Sequence, residues 1–258
     1  ISRSSTGTSS SNRVEAMVRN AIYGIAAARA DGIVSPNVGI LNLDGAQTVL
    51  RALQKLSEGG YPITFGSSMR KEGGAILRGN DLLAGSVDVC VTDTLTGNVL
   101  MKLFAAWNTG GNYEALGWGY GPSAGENWNK VVSIISRASG APVVAGAITL
   151  NARCAKNGLP AAVAEELKLA KKAGLDEVIA SLQPKQASSE EDVTSPPSEP
   201  TDEEIHGIDV LEIEDAVKIL WKAGIYAESS MGCTGPVIKM AGARIEKAKA
   251  VLKENGYI

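Results

Sequence analysis

The sequence predicts an α/β fold in which a mainly parallel sheet is covered by helices. Segments of strand character alternate with segments of helical period along most of the chain. The joints between them are short and rich in glycine. A strand–helix–strand order needs crossover connections, and these make neighbouring strands parallel. The chain has 258 residues, of which 44% are hydrophobic and 21% charged, so it can bury a core without disulfides or a structural metal.

The elements of the amino-terminal half are predicted from apolar spacing. Asn12 and Glu15 have the spacing of a capping box and open a helix that Gly32 ends. Apolar and β-branched runs predict strands at residues 37–43, 61–65 and 87–91. Apolar residues at helical period predict helices at residues 47–56 and 98–107.

The carboxy-terminal half is assigned in the same way. We expect a helix at 127–136, a strand at 141–148 and a helix at 161–172. After an interruption come a helix at 212–221, a short strand at 225–227 and a closing helix at 238–253. Parallel sheets bind ligands at the carboxyl ends of their strands. The loops of interest therefore follow Leu43, Phe65, Val91 and Ile148.

The interruption is an acidic, proline-rich stretch at 181–207. It holds seven acidic residues, one lysine and four of the ten prolines, and such a composition buries too little apolar surface to offset the entropy of ordering. We predict an α/β core at 1–180, a flexible loop or linker at 181–207 and a carboxy-terminal unit at 208–258. The single histidine of the chain, His206, is predicted to be solvated rather than catalytic.

Composition excludes several classes of function. The net charge of −3 gives no positive field for nucleic acid or an anionic membrane, and no apolar run reaches the roughly 18 residues of a membrane span. No export signal is recognisable, and three widely spaced cysteines fit a reducing cytoplasm rather than a disulfide framework or a zinc site. No GxGxxG motif follows a predicted strand, which disfavours an NAD-dependent oxidoreductase.

Cys233 is the sharpest candidate for chemistry. It lies between Gly232 and Gly235, and Pro236 suits the first turn of the predicted closing helix. A helix start favours the thiolate but contributes only about 0.3–1 kcal/mol, so a nearby cation or a phosphate pocket would have to add to it. The alternative is a small buried thiol at a tight turn. The other two cysteines are predicted to be inert.

Three further stretches are candidate anion sites because each precedes a predicted helix start. A polar loop after residue 91 brings Asp93, Asn98 and Lys102, the last two one helical turn apart on the same face. The serine-rich start offers Ser10, Ser11 and Arg13, and the glycine-rich stretch 119–126 offers Ser123. For each stretch the alternative is an ordinary capped turn or a flexible joint.

Three stretches resemble the phosphate acyltransferase family of bacterial phospholipid synthesis. They are VGILNL (38–43), GNDLLAGSVDVCVTDTLTGNVLMK (79–102) and SGAPVVAGA (139–147). The resemblance implies a three-layer α/β sandwich with a mainly parallel sheet, like that of the isocitrate and isopropylmalate dehydrogenases. The chain departs from that family at Thr94, where glycine is usual, and at Asp44-Gly45, which replaces an acidic run.

Nearly the whole chain is similar to a narrower family, the alpha subunit of component C of glycine, sarcosine and betaine reductases. The similarity is carried by the serine-rich start, by GYGPSAGEN (119–127) and by ESSMGCTGP (228–236), and the chain corresponds to the carboxy-terminal part of that subunit. In that family a carboxymethyl group on the selenium of selenoprotein A ends as an acetyl thioester on the cysteine that matches Cys233. Phosphate then releases acetyl phosphate. The resemblance implies the component C beta subunit and selenoprotein A as partners, an oligomer, and no cofactor.

In the leading interpretation the chain is a component C subunit and Cys233 carries the acyl group. Two alternatives to it stay open. The first is a phosphate acyltransferase that moves an acyl group from carrier protein or coenzyme A without a covalent intermediate, and the second is a non-catalytic docking subunit. The candidate phosphate ligands are Ser10, Ser11, Arg13, Asp93, Asn98, Lys102 and Ser123. Phosphate is already ionised at neutral pH and needs no general base.

Overall fold

The computed structural model describes residues 3–5, 10, 12–71, 73–182, 193–210, 212–232 and 235–258. The chain divides into two units. The first comprises residues 1–43 and 52–182, and the second comprises residues 44–51 and 183–258.

A five-stranded sheet forms the framework of the first unit. Its strands are β1 (Arg3–Ser5), β2 (Asn37–Leu41), β3 (Thr64–Phe65), β4 (Ile76–Leu77) and β5 (Val89–Val91). They lie in the order β1–β5–β2–β3, with β4 also paired to β2, and all of these pairings are parallel. Cys90 and Val91 point to opposite faces of β5 and both are buried, as in a sheet covered on both sides. The predicted α/β class with a parallel sheet is confirmed.

Among the described residues, seven α-helices accompany this sheet along the chain. They are α1 (Arg13–Ala30), α2 (Ala46–Glu58), α3 (Gly79–Ala84), α4 (Thr94–Ala106), α5 (Ala141–Lys156), α6 (Leu159–Lys172) and α7 (Leu175–Ser181). Residues 46–51 of α2 group with the second unit and the rest with the first. Helix α1 begins where the sequence predicts, because the Asn12 side chain accepts a hydrogen bond from the Glu15 amide at 3.1 Å. None of the described helices is both long and apolar enough to span a membrane.

A buried carboxylate ties α1 to α6. Glu166 of α6 is only 2% exposed, and it accepts hydrogen bonds from the hydroxyl of Tyr61, at 2.7 Å, and from the guanidinium of Arg29. Burial, and next the charge of Glu166, raise the pKa of Tyr61 far above its usual range, so the hydroxyl stays protonated and donates. The ion pair and the hydroxyl together compensate the cost of burying the Glu166 charge.

The strand predicted at 141–148 is wrong, because this segment is the first half of helix α5. Gly140 has extended backbone at the N-cap, and proline occupies one of the first two helical positions, where its fixed φ and missing N–H are tolerated. The buried positions are Val143, Ala147, Leu150 and Cys154. Their spacing has the helical period, but it becomes visible only when the window extends beyond residue 148.

The helix predicted at 127–136 is also wrong, because this segment is irregular and partly extended. Ile134 exchanges backbone hydrogen bonds of 2.7 and 2.8 Å with Tyr120, and the Ser123 amide donates to the Val132 carbonyl at 2.7 Å. Asn127 has a positive φ of 59°. The apolar residues that suggested a helix do not bury one face, since Ile134 is 68% exposed.

The second unit contains an antiparallel sheet of three strands, in the order β6–β8–β7. These are β6 (Glu203–Ile205), β7 (Ala227–Gly232) and β8 (Gly235–Met240), and the helices are α8 (Ile213–Lys222) and α9 (Ile245–Glu254). Strand β6 lies inside the stretch predicted to be a flexible linker, whose residues 183–192 lie outside the described part of the chain. Ile205 joins the apolar core of this unit with Ile238 and Leu252. Net charge alone could not reveal such a single apolar anchor among acidic neighbours.

The closing helix predicted at 238–253 is correct only in its later part. Residues Gly235–Met240 form strand β8, a 3₁₀ turn follows at Gly242–Arg244, and α9 begins at Ile245. Pro236 lies opposite Met231 in the ladder with β7, whereas β6 pairs only with Ile238–Met240. The proline therefore stands at the start of β8 where the strand has a partner on one side, a position at which its missing N–H is tolerated.

Candidate functional site

A cavity of about 270 Å³ lies in the first unit, after the carboxyl ends of β1 and β5. It is lined by Ser10, Arg13, Ala16, Met17, Asn20, Asp93, Thr94 and Leu95. Strands β1 and β5 are parallel neighbours, with Ser5 opposite Val91, so the chain leaves both strands at the same edge of the sheet. Helices α1 and α4 begin there, as expected for the ligand site of a parallel sheet.

Two helix starts contribute to this cavity. Asn12 caps α1 through the Glu15 amide, at 3.1 Å. Asp93 caps α4 by accepting from the amide and the hydroxyl of Thr96, at 3.0 and 2.7 Å. The first amides of an α-helix have no intrahelical acceptor and lie at the positive end of the helix dipole. At α4 the Leu95 and Thr96 amides already donate to Asp93, so the feature that suits a small anion is the start of α1 with the Arg13 guanidinium as its cation.

Asp93 is held in its ionised form. Burial by itself would raise its pKa, but hydrogen bonds from the Thr96 amide and hydroxyl and from the Leu95 amide, with the charge of Arg13, lower it overall. Its carboxylate is thus committed to capping α4 and to attracting Arg13. A carboxylate repels phosphate, so Asp93 lines the cavity as a positioning group for the helix start and for Arg13.

The structure brings together only part of the set proposed from the sequence. Ser10, Arg13 and Asp93 line one cavity. Asn98 and Lys102 do not line it, and Lys102 lies with its Nζ 3.6 Å from Glu114 instead. Ser123 accepts a hydrogen bond from the indole N–H of Trp128 at 2.9 Å and is absent from the cavity wall. Ser11 lies outside the described residues.

Sequence reasoning missed the inner wall of the cavity. Ala16, Met17 and Asn20 follow Arg13 at helical spacing on α1. Asn20 is 2% exposed. A polar residue on an otherwise apolar helix face is the sequence signal that could have revealed this wall. Thr94 and Leu95 complete the lining from the first turn of α4.

Lys102 belongs to a second cluster built around the buried side chain of Glu114. This carboxylate accepts from the hydroxyls of Tyr120 and Ser139, both at 2.6 Å, and Lys102 lies over the Tyr120 ring, 4.8 Å from its centroid. Burial by itself would raise the pKa of Glu114. The pKa is nevertheless lowered, by these two hydrogen bonds, by a third from Ser136 and by the charge of Lys102. The cluster fastens the irregular segment before α5 to helix α4.

Replacing Glu114 with glutamine is expected to lower the free energy of unfolding by about 1–3 kcal/mol at neutral pH, because buried donors lose an ionic acceptor. A carboxylate with a lowered pKa stabilises the folded state above its unfolded value, near 4.5, and this contribution is lost as the pH falls through the folded value. The wild-type protein should therefore lose more stability than the variant as the pH falls below about 4.5. Urea unfolding at pH 7 and at a series of pH values below 4.5 measures the difference.

The control for this prediction is Glu126→Gln, which changes a pair with Lys171 whose carboxylate side chain is 45% exposed. Exposed pairs contribute little, so this variant should keep the wild-type dependence on pH. An identical pH dependence for Glu114→Gln and wild type would contradict the assignment of an ionic anchor.

The structure separates the cysteines. Cys90 is 1% exposed, as expected of a core thiol, and burial raises its pKa to about 12. Cys154 is fully buried. Cys233 lies outside the described residues. Its flanking residues Gly232 and Gly235 are opposite each other at the end of the β7–β8 ladder, so the predicted helix entrance is wrong.

In the described part of the chain, no group of three or more His, Cys, Asp or Glu side chains is arranged to hold a metal ion. His206, next to strand β6, is 55% exposed at its side chain and lies 3.6 Å from Glu204, which agrees with a solvated histidine.

Comparisons with known proteins bear on the chemistry of this cavity. The profile of the family described as fatty acid synthesis protein matches residues 3–239. The chain is 55% identical over 255 residues to the glycine/sarcosine/betaine reductase complex component C subunit alpha of Peptoclostridium acidaminophilum, covering 98% of this chain and 66% of that subunit. It thus spans just under two thirds of that relative.

Phosphate acyltransferases match over shorter stretches. That of Phenylobacterium zucineum is 39% identical over 94 residues, which is 34% of this chain and 25% of the enzyme. That of Thermobifida fusca is 37% identical over 102 residues, or 37% of this chain and 27% of the enzyme. No solved structure matches the chain.

Proposed function

The chain belongs to the fatty acid synthesis protein family, and from this premise we propose that it is an acyl-transfer subunit that releases an acetyl group to inorganic phosphate. Its similarity to a component C alpha subunit and to phosphate acyltransferases supports this chemistry. The observation that carries the proposal is the cavity at the start of α1 that Ser10 and Arg13 line, since a helix start with a guanidinium and a hydroxyl group suits a phosphate ion.

The proposed carrier of the acetyl group is the sulfur of Cys233. A thiolate is both a good nucleophile and a good leaving group, which a transient acyl carrier requires. Because Cys90 and Cys154 are buried, neither is suited to exchange an acyl group with a soluble reactant. The sequence around Cys233 is one of the three stretches through which the chain resembles the reductase subunit.

The proposed release step is a substitution at the thioester carbonyl. An oxygen of hydrogen phosphate attacks the carbonyl carbon, a C–O bond forms and the C–S bond breaks. Sulfur leaves as a thiolate, and the proton of hydrogen phosphate returns to the sulfur directly or through solvent, so no group is oxidised or reduced. Ser10, Arg13 and first-turn amides would hold the phosphate, and no side-chain base is needed because phosphate is already ionised.

The partners of the chain belong to the same proposal. The relative is a component of a multi-component reductase complex, so we place this chain with the component C beta subunit and with selenoprotein A. Oligomeric assembly and the layered architecture of the isocitrate dehydrogenase type are proposed with it.

Intact-mass measurement after incubation with acetyl phosphate tests the carrier role. Reversal of the release step should add one acetyl group to the chain, and added phosphate should remove it. Cys233→Ser should gain no acetyl group. Transfer without any acylated protein would instead favour a phosphate acyltransferase that forms no covalent intermediate. If neither acylation of the chain nor transfer to phosphate is observed, a docking subunit is the better explanation.

A further inference from the structure

We propose that the exposed face of helix α4 is a docking surface for a second copy of this chain, related to the first by a two-fold axis. The surface is a ridge of four apolar side chains, Leu95, Val99, Leu103 and Trp107, which we call the α4 ridge. Docking there gives the proposed assembly a specific interface, and it depends on none of the proposed acyl chemistry.

The α4 ridge is continuous because its members are four residues apart along a helix. Side chains at this spacing lie one above another on the same face, and Trp107, in the 3₁₀ turn that follows α4, keeps helical backbone angles. The four residues are 74, 47, 56 and 78% exposed in chain order, and the ridge runs for roughly 18 Å along the helix axis. An apolar stripe of this length is typical of a surface that another molecule covers.

Helix α4 is apolar on two faces, and the described part of the chain covers only one of them. On the covered face, Leu100 packs against the apolar cluster that contains Cys90, and Ala105 is 8% exposed. A helix at the surface of a single globular chain typically has one apolar face, whereas a helix that is apolar all round is buried. The α4 ridge therefore has the composition of a face that is buried in an assembly.

The charge of this face favours a second copy of the same chain. In a two-fold interface a patch meets itself, so an uncompensated charge would meet a like charge. Lys102, the only charged residue in the sequence of α4, is paired with Glu114, which lies 3.6 Å from its Nζ. Asn98 is one turn before Lys102 and is exposed like it. The face thus has an apolar centre and a polar border, which is the usual anatomy of an interface.

The area of the α4 ridge is sufficient for a dimer. At the exposed fractions given above, Trp107 alone presents roughly 200 Å² and the four residues together roughly 500 Å². Two copies therefore bury roughly 1,000 Å², the lower limit expected of a specific interface, before the polar border is counted. Ridges of side chains four residues apart also fit the matching grooves of a second helix, which is the commonest form of helix packing.

Such a dimer brings the partner copy to the cavity. A two-fold axis through the middle of the ridge passes between Val99 and Leu103, so that Leu95 of one copy faces the partner's Trp107. Leu95 also lines the cavity that contains Arg13. The partner's indole ring therefore lies at the border of the cavity, and assembly adds a wall to it.

Two substitutions of Leu103 test the surface, because this residue lies near the axis and a charge there meets the same charge on the partner copy. Leu103→Glu and Leu103→Lys should each raise the dissociation constant of the dimer about a hundredfold or more, as measured by sedimentation velocity over a series of protein concentrations. An equimolar mixture of the two variants should form dimers again, since a carboxylate then faces an ammonium group. Ile148→Glu, at a residue of α5 that is 66% exposed, is the matched control and should dimerise like wild type.

Circular dichroism verifies that the variants fold, as expected for changes at an exposed position. Dimers of wild-type stability in both Leu103 variants, or a mixture of the two that stays monomeric, would overturn the inference. A monomeric wild-type chain would overturn it too. Sedimentation of that monomer with phosphatidylcholine vesicles would assign the ridge to a lipid surface, and its absence from the vesicles would assign the ridge to a different subunit. If the monomer still exchanges labelled phosphate into acetyl phosphate, the proposed chemistry stands without the dimer.

Discussion

Exchange of labelled phosphate into acetyl phosphate is expected to fall by roughly a thousandfold or more when Cys233 is replaced by serine. If the acetyl group passes through a thioester, the chain and acetyl phosphate alone catalyse this exchange, because acylation of the sulfur releases phosphate and reversal captures a labelled one. A serine hydroxyl is far less ionised than a thiol near neutral pH. The variant therefore lacks a competent nucleophile, although the phosphate site is unchanged.

Cys154→Ser is the matched control for this exchange. Its sulfur is fully buried, so the substitution removes a thiol that cannot meet acetyl phosphate, and the exchange rate should stay within a fewfold of wild type once folding has been verified. Wild-type exchange in Cys233→Ser would contradict the covalent pathway. Loss of exchange in both variants would show that the assay reports folding rather than chemistry.

Replacing Arg13 with alanine is expected to raise the KM for phosphate in the same exchange by roughly 10–100-fold, the range set by losing charged hydrogen bonds. Arg13 is exposed at the cavity mouth, so the fold should tolerate the change. Arg13→Lys should fall between alanine and wild type, because an ammonium group keeps the charge but not the paired donors.

The same measurement on Lys102→Ala separates the two cations that the sequence suggested. Lys102 interacts with Glu114 and Tyr120 and does not line the cavity, so its removal should affect the KM for phosphate far less than that of Arg13. A larger effect for Lys102 than for Arg13 would move the phosphate site away from this cavity.

The parallel sheet and its site edge were predictable because strands β2 and β5 are short apolar runs followed by polar residues. Asp93 follows β5 directly, and the serine-rich start leads to Arg13 before an amphipathic helix. Both rules depend on neighbours in the sequence. Because these rules use only neighbouring residues, they can be applied without knowing how the helices and strands pack.

Lys102 shows where local rules end. Asn98 and Lys102 do share a face of α4, as the spacing requires, but spacing does not say which face of a helix turns toward the strand ends. Burial of Glu114 with its hydroxyl partners draws Lys102 to another place. Tertiary packing made that choice, and residues far apart in the chain determine it.

Strand β8 shows a second limit. The predicted helix at 238–253 contains a single glycine, Gly242, and an isolated glycine is tolerated within a helical pattern, so one continuous helix was the simpler prediction. Pairing with β6 and β7 decides otherwise, since strand formation depends on partners that a window of sequence does not contain.

The β7–β8 ladder has a consequence for protein engineering. Its six pairs run from Ala227 opposite Met240 to Gly232 opposite Gly235, and the Ser229 hydroxyl fastens the ribbon to Glu214 at 2.6 Å. The length of the two-stranded β7–β8 ladder can therefore change only by whole residue pairs. Removing one matched pair would shorten it by about 3.4 Å and turn the remaining tip toward the opposite side of the sheet. Removing two pairs would return the side chains to their original side of the sheet in a shorter ladder. A graded set of deletions, assayed for phosphate exchange, can therefore measure the ladder length that activity requires.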